Sequence, residues 1–185
     1  MRPAHRSSHG AFRVTATRVG SRRPQVDFEP TPRHIVTAML ELAGVRRNDV
    51  VYDLGSGDGR IPIAAARDFG ASAVGVELHA ARIDEARRKA AEARVTRKVR
   101  FVNQDLFEAE IKPATVLTLF LLPEANLVLR PRLLRDLAPG ARVVSYIHDM
   151  GSWKPDTARY TVDRLGWYHR LYLWTIPTPA QRAPA

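Results

Sequence analysis

The run Val50-Val51-Tyr52-Asp53-Leu54-Gly55-Ser56-Gly57-Asp58-Gly59-Arg60 constrains the fold of this chain more than any other stretch. An apolar, β-branched run ends in an acid. A turn with almost no side chains follows, and then a segment that reads as helix from Ile61 to Phe69. Glycines there let the backbone approach a ligand closely and adopt positive φ. The helix N-terminus behind the turn offers unpaired N–H groups and partial positive charge. Strand, glycine turn and helix together form a nucleotide cradle. The plainer reading is a turn that only joins a strand to a helix.

Two ligand classes use such a turn. The dinucleotide fingerprint is G-x-G-x-x-G, with pyrophosphate on the helix N-terminus. Here the third glycine, Gly59, comes too early, and Arg60 stands where a small residue is needed for close helix–strand packing. Asp53 and Asp58 flank the turn and repel a pyrophosphate. They suit a nucleoside ligand that carries positive charge, as the sulfonium and ammonium groups of S-adenosylmethionine (SAM) do.

The length of 185 residues fits one domain with a real core. No run approaches the ~20 apolar residues of a membrane span. The absence of cysteine excludes disulfides, thiolate metal sites and cysteine nucleophiles. The histidines (His5, His9, His34, His79, His148 and His169) show no i, i+4 pair on an expected helix, so no metal site is expected. Of the net charge of +10, residues 1–26 hold six arginines and no acid, leaving about +4 for the remainder. Residues 1–26 read as a flexible basic arm, 27–177 as one domain and 178–185 as a loose tail. The arm is suited to weak contact with nucleic acid or acidic surfaces. It also fits the composition of a mitochondrial transit peptide; otherwise a cytoplasmic location is expected. A solvated tail is the plain alternative.

Alternating patterns give the order of elements. Thr31 is expected to cap a helix whose first residue is Pro32, running to Gly44. Strands are expected near 49–54, 73–77, 99–103, 115–121 and 142–147. Helices are expected near 58–69, 80–94 and 123–137. Two closing strands, near 159–164 and 170–176, read as a hairpin. The fold class is α/β: a Rossmann-like, doubly wound, mostly parallel seven-stranded sheet with an antiparallel closing hairpin.

In such sheets ligands bind beyond the carboxyl ends of the strands. Strand 1 ends at Asp53. Strand 2 ends at Glu77, placed to take both ribose hydroxyls. Strand 3 ends in Asn103-Gln104-Asp105-Leu106, where an acid accepts from an adenine amine and the next backbone N–H meets a ring nitrogen. Strand 4 ends in Phe120-Leu121-Leu122-Pro123, an apolar wall. Each acid alone is an ordinary cap or surface charge. The set at successive strand ends favours a SAM site.

Residues ~28–155 resemble a class I SAM-dependent methyltransferase. More narrowly they resemble the small archaeal protein-lysine methyltransferase and its mitochondrial relatives acting on adenine nucleotide translocase and on the c-ring protein of ATP synthase. The resemblance is carried by Pro30-Thr31-Pro32, by Asp53 to Arg60, and by Gly75-Val76-Glu77. Asp105-Leu106-Phe107, Thr118 to Leu122, Leu137 to Gly140, Arg142 to Ser145 and Trp153-Lys154-Pro155 complete it. It implies Gly55, Ser56, Gly57, Asp58 and Gly59 around the methionine part of SAM, with Asp53 and Thr31 beside it. Glu77 is implied at the ribose, Asp105 and Leu106 at the adenine, and Phe120 on the apolar wall. Phe28 and Pro30, with Tyr146 and Trp153, are implied to line the acceptor channel. This chain has Phe28-Glu29 where the family's entry usually has Tyr and an apolar residue, and Tyr146-Ile147-His148-Asp149 after strand 5.

The resemblance implies a protein-lysine N-methyltransferase, with S-adenosylhomocysteine as product and a protein as partner; a monomer is expected. A lysine ammonium, with a reference pKa near ~10.4, must lose its proton before it attacks. Glu29 and Asp149 are the candidate proton acceptors. The alternatives are a methyltransferase acting on RNA or a small metabolite, and a non-catalytic SAM-binding module. The Asn/Asp-Pro-Pro-Tyr/Phe segment common in base-amine methyltransferases is absent; Leu121-Leu122-Pro123-Glu124 stands there.

Overall fold

The computed structural model describes residues 30–163 and 166–178. Eleven elements follow the chain: α1 (Arg33–Leu42), β1 (Val50–Leu54), α2 (Arg60–Asp68), β2 (Ser72–Glu77), α3 (Ala80–Glu92) and β3 (Val99–Asn103). They continue with β4 (Val116–Leu119), α4 (Pro123–Asp136), β5 (Arg142–Tyr146), β6 (Thr157–Val162) and β7 (Tyr168–Thr175). The strands form one sheet in the order β3-β2-β1-β4-β5-β7-β6. All neighbours run parallel as far as β5; β7 is antiparallel to both β5 and β6. The order reverses between β1 and β4, the switch point at which open α/β sheets bind ligands. The expected α/β class and closing hairpin are therefore present.

Side chains alternate across the sheet with period two, and this assigns every strand residue to one of two layers. Val51, Val116, Val144, Tyr146 and Leu171 pack with Ile35, Met39 and Leu40 of α1 and Ile61 and Ala65 of α2. Ile83, Ala86 and Ala90 of α3 extend that layer over Phe101. On the opposite face, Tyr52, Leu117, Leu119, Val143 and Trp174 pack with Leu129, Leu133 and Leu137 of α4 and with Ile111. β1 and β4 are covered on both faces, which is why their sequences are largely apolar; the two polar side chains within them, Asp53 and Thr118, bond each other.

The amino ends of the strands are tied together away from the glycine turn. Asp49 accepts from the Arg46 N–H (2.7 Å) and the Thr115 hydroxyl (2.7 Å), and it pairs with Arg142. Burial raises the Asp49 pKa, but these bonds outweigh burial and hold it below the usual carboxylate value.

The entry to α1 differs from the expectation. Pro32, not Thr31, is the N-cap, with φ −56° and ψ 144°, and no side chain caps the helix. Thr31 is buried, and its carbonyl accepts from Arg60 Nη1 at 2.7 Å, which ties it to the first residue of α2. The closing strands each begin two residues before the expected positions. No helix among the described residues is long and apolar enough to cross a membrane.

Candidate functional site

The glycine turn is held by backbone atoms. Gly55, Gly57 and Gly59 have φ of 82°, 52° and 78°, values that favour glycine. The Gly55 and Ser56 N–H groups both donate to the Val76 carbonyl at 2.9 Å, pinning the turn to the end of β2. Glu77 lies beneath it: Oε2 accepts from the Gly57 N–H at 3.0 Å and Oε1 from the His79 N–H at 2.9 Å. A carboxylate accepts several bonds, so Glu77 keeps lone pairs for a ligand. Arg82 Nη1 stands 3.7 Å from Oε1.

The small residue that close packing requires is Gly59 itself. A Cβ there would lie 2.5 Å from Phe101 and 2.8 Å from Ala86. Arg60 is thereby free to project, and its Nε and Nη2 donate to Asp58 at 2.8 and 2.7 Å. Lys89 Nζ reaches the same carboxylate at 2.6 Å. Burial raises the Asp58 pKa, but Arg60 and Lys89 more than offset it and bring it down to about 2. Asp58 therefore ties the turn to α2 and α3. Its oxygens are engaged by two cations of this chain.

Asp53 is fully buried at the end of β1 and accepts from the Thr118 hydroxyl at 2.8 Å. Burial is the main cause that pushes its pKa up to about 7, with the neighbouring Asp58 and Glu77 adding to it and Thr118 opposing. Asp105, at the end of β3, accepts from the Phe107 N–H at 2.9 Å, which turns the Asp105-Leu106 backbone. A Cβ on Gly55 would stand 3.1 Å from Leu121 and 3.8 Å from Leu106. Turn and apolar wall thus face each other across a gap that only glycine leaves open. The Ser56 hydroxyl is buried without a protein partner. A cradle lacking Cβ atoms and carboxylates at the ends of β1, β2 and β3 fit the chemistry of SAM.

Beyond β4 and β5 the site is made of side chains. Phe120 packs on Tyr146 with ring centroids 4.6 Å apart. The Tyr146 hydroxyl lies 2.7 Å from His169 Nδ1, and His169 Nε2 lies 3.2 Å from Asp163 Oδ2. His34 of α1 meets the His169 ring edge-on at 5.4 Å. The chain after Tyr146 makes a γ-turn: the His148 N–H donates to the Tyr146 carbonyl at 2.9 Å, and Ile147 has φ 69°. A β-branched residue at positive φ is strained. The turn is clamped by Ser145, whose hydroxyl donates to the His148 carbonyl at 2.6 Å, and by Asn126, whose Nδ2 reaches that carbonyl at 3.1 Å. Burial holds the His148 pKa below its ordinary value.

Other expected site residues lie elsewhere. Asp149 accepts from the Gly151 N–H at 2.9 Å and shapes a tight turn at an exposed position. Trp153 packs on Trp174 in the α4 layer, so the sheet separates it from Tyr146. Pro30 is exposed at the entry to α1. Phe28 and Glu29 lie outside the described residues. His34, Asn126, Asp163 and His169 are absent from the expected set. Strand parity signals one of them, putting His169 on the α1 face with Leu171.

The ANTKMT methyltransferase domain model matches residues 53–157, from the end of β1 to the start of β6. This chain belongs to that methyltransferase family. Within it, the chain is 44% identical to a protein-lysine N-methyltransferase of Saccharolobus islandicus, over 83% of this chain and 95% of that relative. It is 33% identical to the adenine nucleotide translocase lysine N-methyltransferase of Mus musculus over 72% of this chain, spanning 58% of that protein. Among solved structures, an RNA methyltransferase from Salinibacter ruber in complex with S-adenosylhomocysteine shares 51% identity, with a TM-score of 0.77. The match covers 84% of this chain and 97% of that one. This member of the ANTKMT family is a SAM-dependent methyltransferase, and its fold is the Rossmann-like fold of that enzyme class.

Proposed function

We propose that this methyltransferase acts on the ε-amine of a protein lysine. The observation that carries the reading is the acceptor side of the cleft. There β4 runs into Phe120-Leu121-Leu122-Pro123, without an amide or acid to hold the edge of a base. An apolar passage suits a lysine stem, and it lowers the ammonium pKa by desolvation. The similarity to the Saccharolobus protein-lysine N-methyltransferase, which extends over almost all of that relative, supports the same acceptor.

In this reading Glu77 holds the ribose, and Asp105 with the Leu106 N–H holds the adenine. Gly55, Ser56 and Gly57 hold the methionine part of SAM, and Thr31 and Phe120 close over it. SAM supplies an activated methyl on a sulfonium, and displacement disperses charge rather than creating it. The protein's work is alignment, exclusion of water and removal of the lysine proton.

A second reading, an RNA acceptor, is favoured by the likeness to the Salinibacter RNA methyltransferase and by the basic residues 1–25. Tritiated SAM incubated with cell lysate separates the two. Label in protein bands that vanishes with Glu77→Ala supports lysine methylation, and label in RNA sinks it. The proposal takes the working form as a cytoplasmic monomer, with residues 1–25 in weak contact with nucleic acid or acidic surfaces. Removing those residues should flatten the salt dependence of RNA binding.

A further inference from the structure

On the α1 face of the sheet, methyl transfer as described leaves one connected set of side chains without a role. Tyr146 at the end of β5 bonds His169 of β7, and His169 bonds Asp163 at the end of β6. Asp163 is fixed by the hairpin turn. Its N–H donates to the Trp167 carbonyl at 3.0 Å, and its Oδ1 accepts from the Trp167 N–H at 2.9 Å. Among the described residues, the groups around the His169 ring are Tyr146 of β5, Asp163 and, edge-on, His34 of α1. A carboxylate only accepts, so the bond to Asp163 places the imidazole proton on Nε2 and leaves the Nδ1 lone pair for the Tyr146 hydroxyl. Tyr146 then donates towards His169, and a phenol oxygen that donates can also accept. Its ring lies on Phe120 at the end of β4, next to Leu121, which faces the glycine turn.

We infer that Tyr146, His169 and Asp163 form the outlet for the proton of the acceptor lysine. One N–H bond of the ammonium breaks as its proton passes to the Tyr146 oxygen. The Tyr146 hydroxyl proton passes to His169 Nδ1, and Asp163 holds the imidazolium until water takes the proton. The lysine keeps the electron pair with which it attacks the methyl. Tyr146 touches the acceptor and is the catalytic residue; His169 and Asp163 are positioning residues. The inference rests on the lysine reading, because an exocyclic base amine is neutral already and, unlike an ammonium, need lose no proton before it attacks.

The test uses the full-length protein with tritiated SAM and lysate proteins. Acid hydrolysis of the labelled fraction comes first. Absence of radioactive N-methyl-lysine overturns the lysine reading and this inference with it. With methyl-lysine present, rates are compared from pH 6.5 to 10. Tyr146→Phe and His169→Gln should lower the rate about 100-fold at pH 7, with the KM for SAM within about two-fold of the unaltered enzyme. Asp163→Asn, which keeps an oxygen for the Trp167 N–H, should cost about ten-fold through loss of tautomer control. All three gaps should close to less than about five-fold near pH 10, where a lysine of pKa ~10.4 deprotonates unaided. A loss equal at every pH, or below about three-fold at pH 7, overturns the inference. A second readout does not need activity: ¹⁵N spectra of the imidazole should show the Nε2–H tautomer of His169, and an Nδ1–H tautomer overturns it. Should Tyr146→Phe prove unfolded on melting, His169→Gln and the tautomer decide.

Discussion

The ends of β1, β2 and β3 and the ends of β4, β5 and β7 build two halves of one cleft by different means. In the first half, N–H groups of the glycine turn bond the Val76 carbonyl and the Glu77 carboxylate. In the second, side-chain bonds join Tyr146, His169 and Asp163, and Asn126 clamps the strained turn beside them through the His148 carbonyl. The first half is specified by residues close in sequence and suits a ligand that never changes. The second draws on α1, β5 and the β6–β7 hairpin, so it can vary with the acceptor without disturbing the cradle. Perturbing one half should leave the other intact.

Glu77→Ala should act most strongly, and only on the first half. It removes the proposed ribose contact and orphans the Gly57 and His79 N–H groups, at roughly 1–3 kcal/mol each. Calorimetry with S-adenosylhomocysteine should show affinity down roughly 100- to 1,000-fold. Affinity within five-fold of the unaltered protein breaks the comparison, because the backbone half is then not what holds the ligand.

Asp53→Asn sharpens the first half through pH. The Asp53 pKa of about 7 in the fold lies above its ordinary value of 3.8. The folded protein therefore binds more protons than the unfolded chain between those values, and stability from this group falls as pH rises from ~4 to ~7. The full span amounts to on the order of 4 kcal/mol. Asparagine can still accept from Thr118 and does not titrate. Its melting temperature should exceed that of the unaltered protein at pH 8 by several degrees and lose the advantage at pH 4. Parallel curves for the two proteins would mean that Asp53 takes up no proton on folding.

Gly59→Ala probes packing rather than charge. It forces a Cβ to 2.5 Å from Phe101 at φ 78°. Overpacking and the left-handed backbone together cost about 3 kcal/mol, a fall of roughly 6–12 °C in Tm by thermal melting. A change below ~2 °C would mean that α2 and α3 give way easily and that Gly59 is a turn residue only.

The same division explains what the sequence made legible. The strand–turn–helix run placed β1, α2, Glu77 and Asp105 within a residue or two, because both patterning and turn chemistry there are local. The cap of α1 stands one residue later than the sequence pattern predicts, since the pull of Arg60 on the Thr31 carbonyl spans 29 positions. The roles of Asp58 and Arg60 are hidden from local patterning for the same reason, as Lys89 on α3, 31 positions away, shares that carboxylate with Arg60. Asp163 and His169 carry no motif at all. Only the pairing of β7 with β5 brings His169 under Tyr146, and only the hairpin turn brings Asp163 to His169.

Ile147→Gly is the smallest perturbation and the most selective for the second half. Ile147 holds φ 69° in the γ-turn between Tyr146 and His148. Releasing that strain returns ~1–3 kcal/mol. Glycine also adds ~0.4–1 kcal/mol of unfolded-chain entropy, and some packing of a half-exposed side chain is lost. Tm should therefore move by no more than ~3 °C, measured by melting, in contrast to Gly59→Ala. Turnover should fall roughly three- to ten-fold, because a relaxed turn lets Tyr146 and His148 drift and small misplacements are amplified in rate. Affinity for S-adenosylhomocysteine should not change. If Tm drops by more than ~5 °C, Ile147 is a packing residue and the strain is incidental. If turnover is untouched while Tm rises, the strained turn does not position Tyr146, and the acceptor half must be held by Asn126 and the hairpin alone.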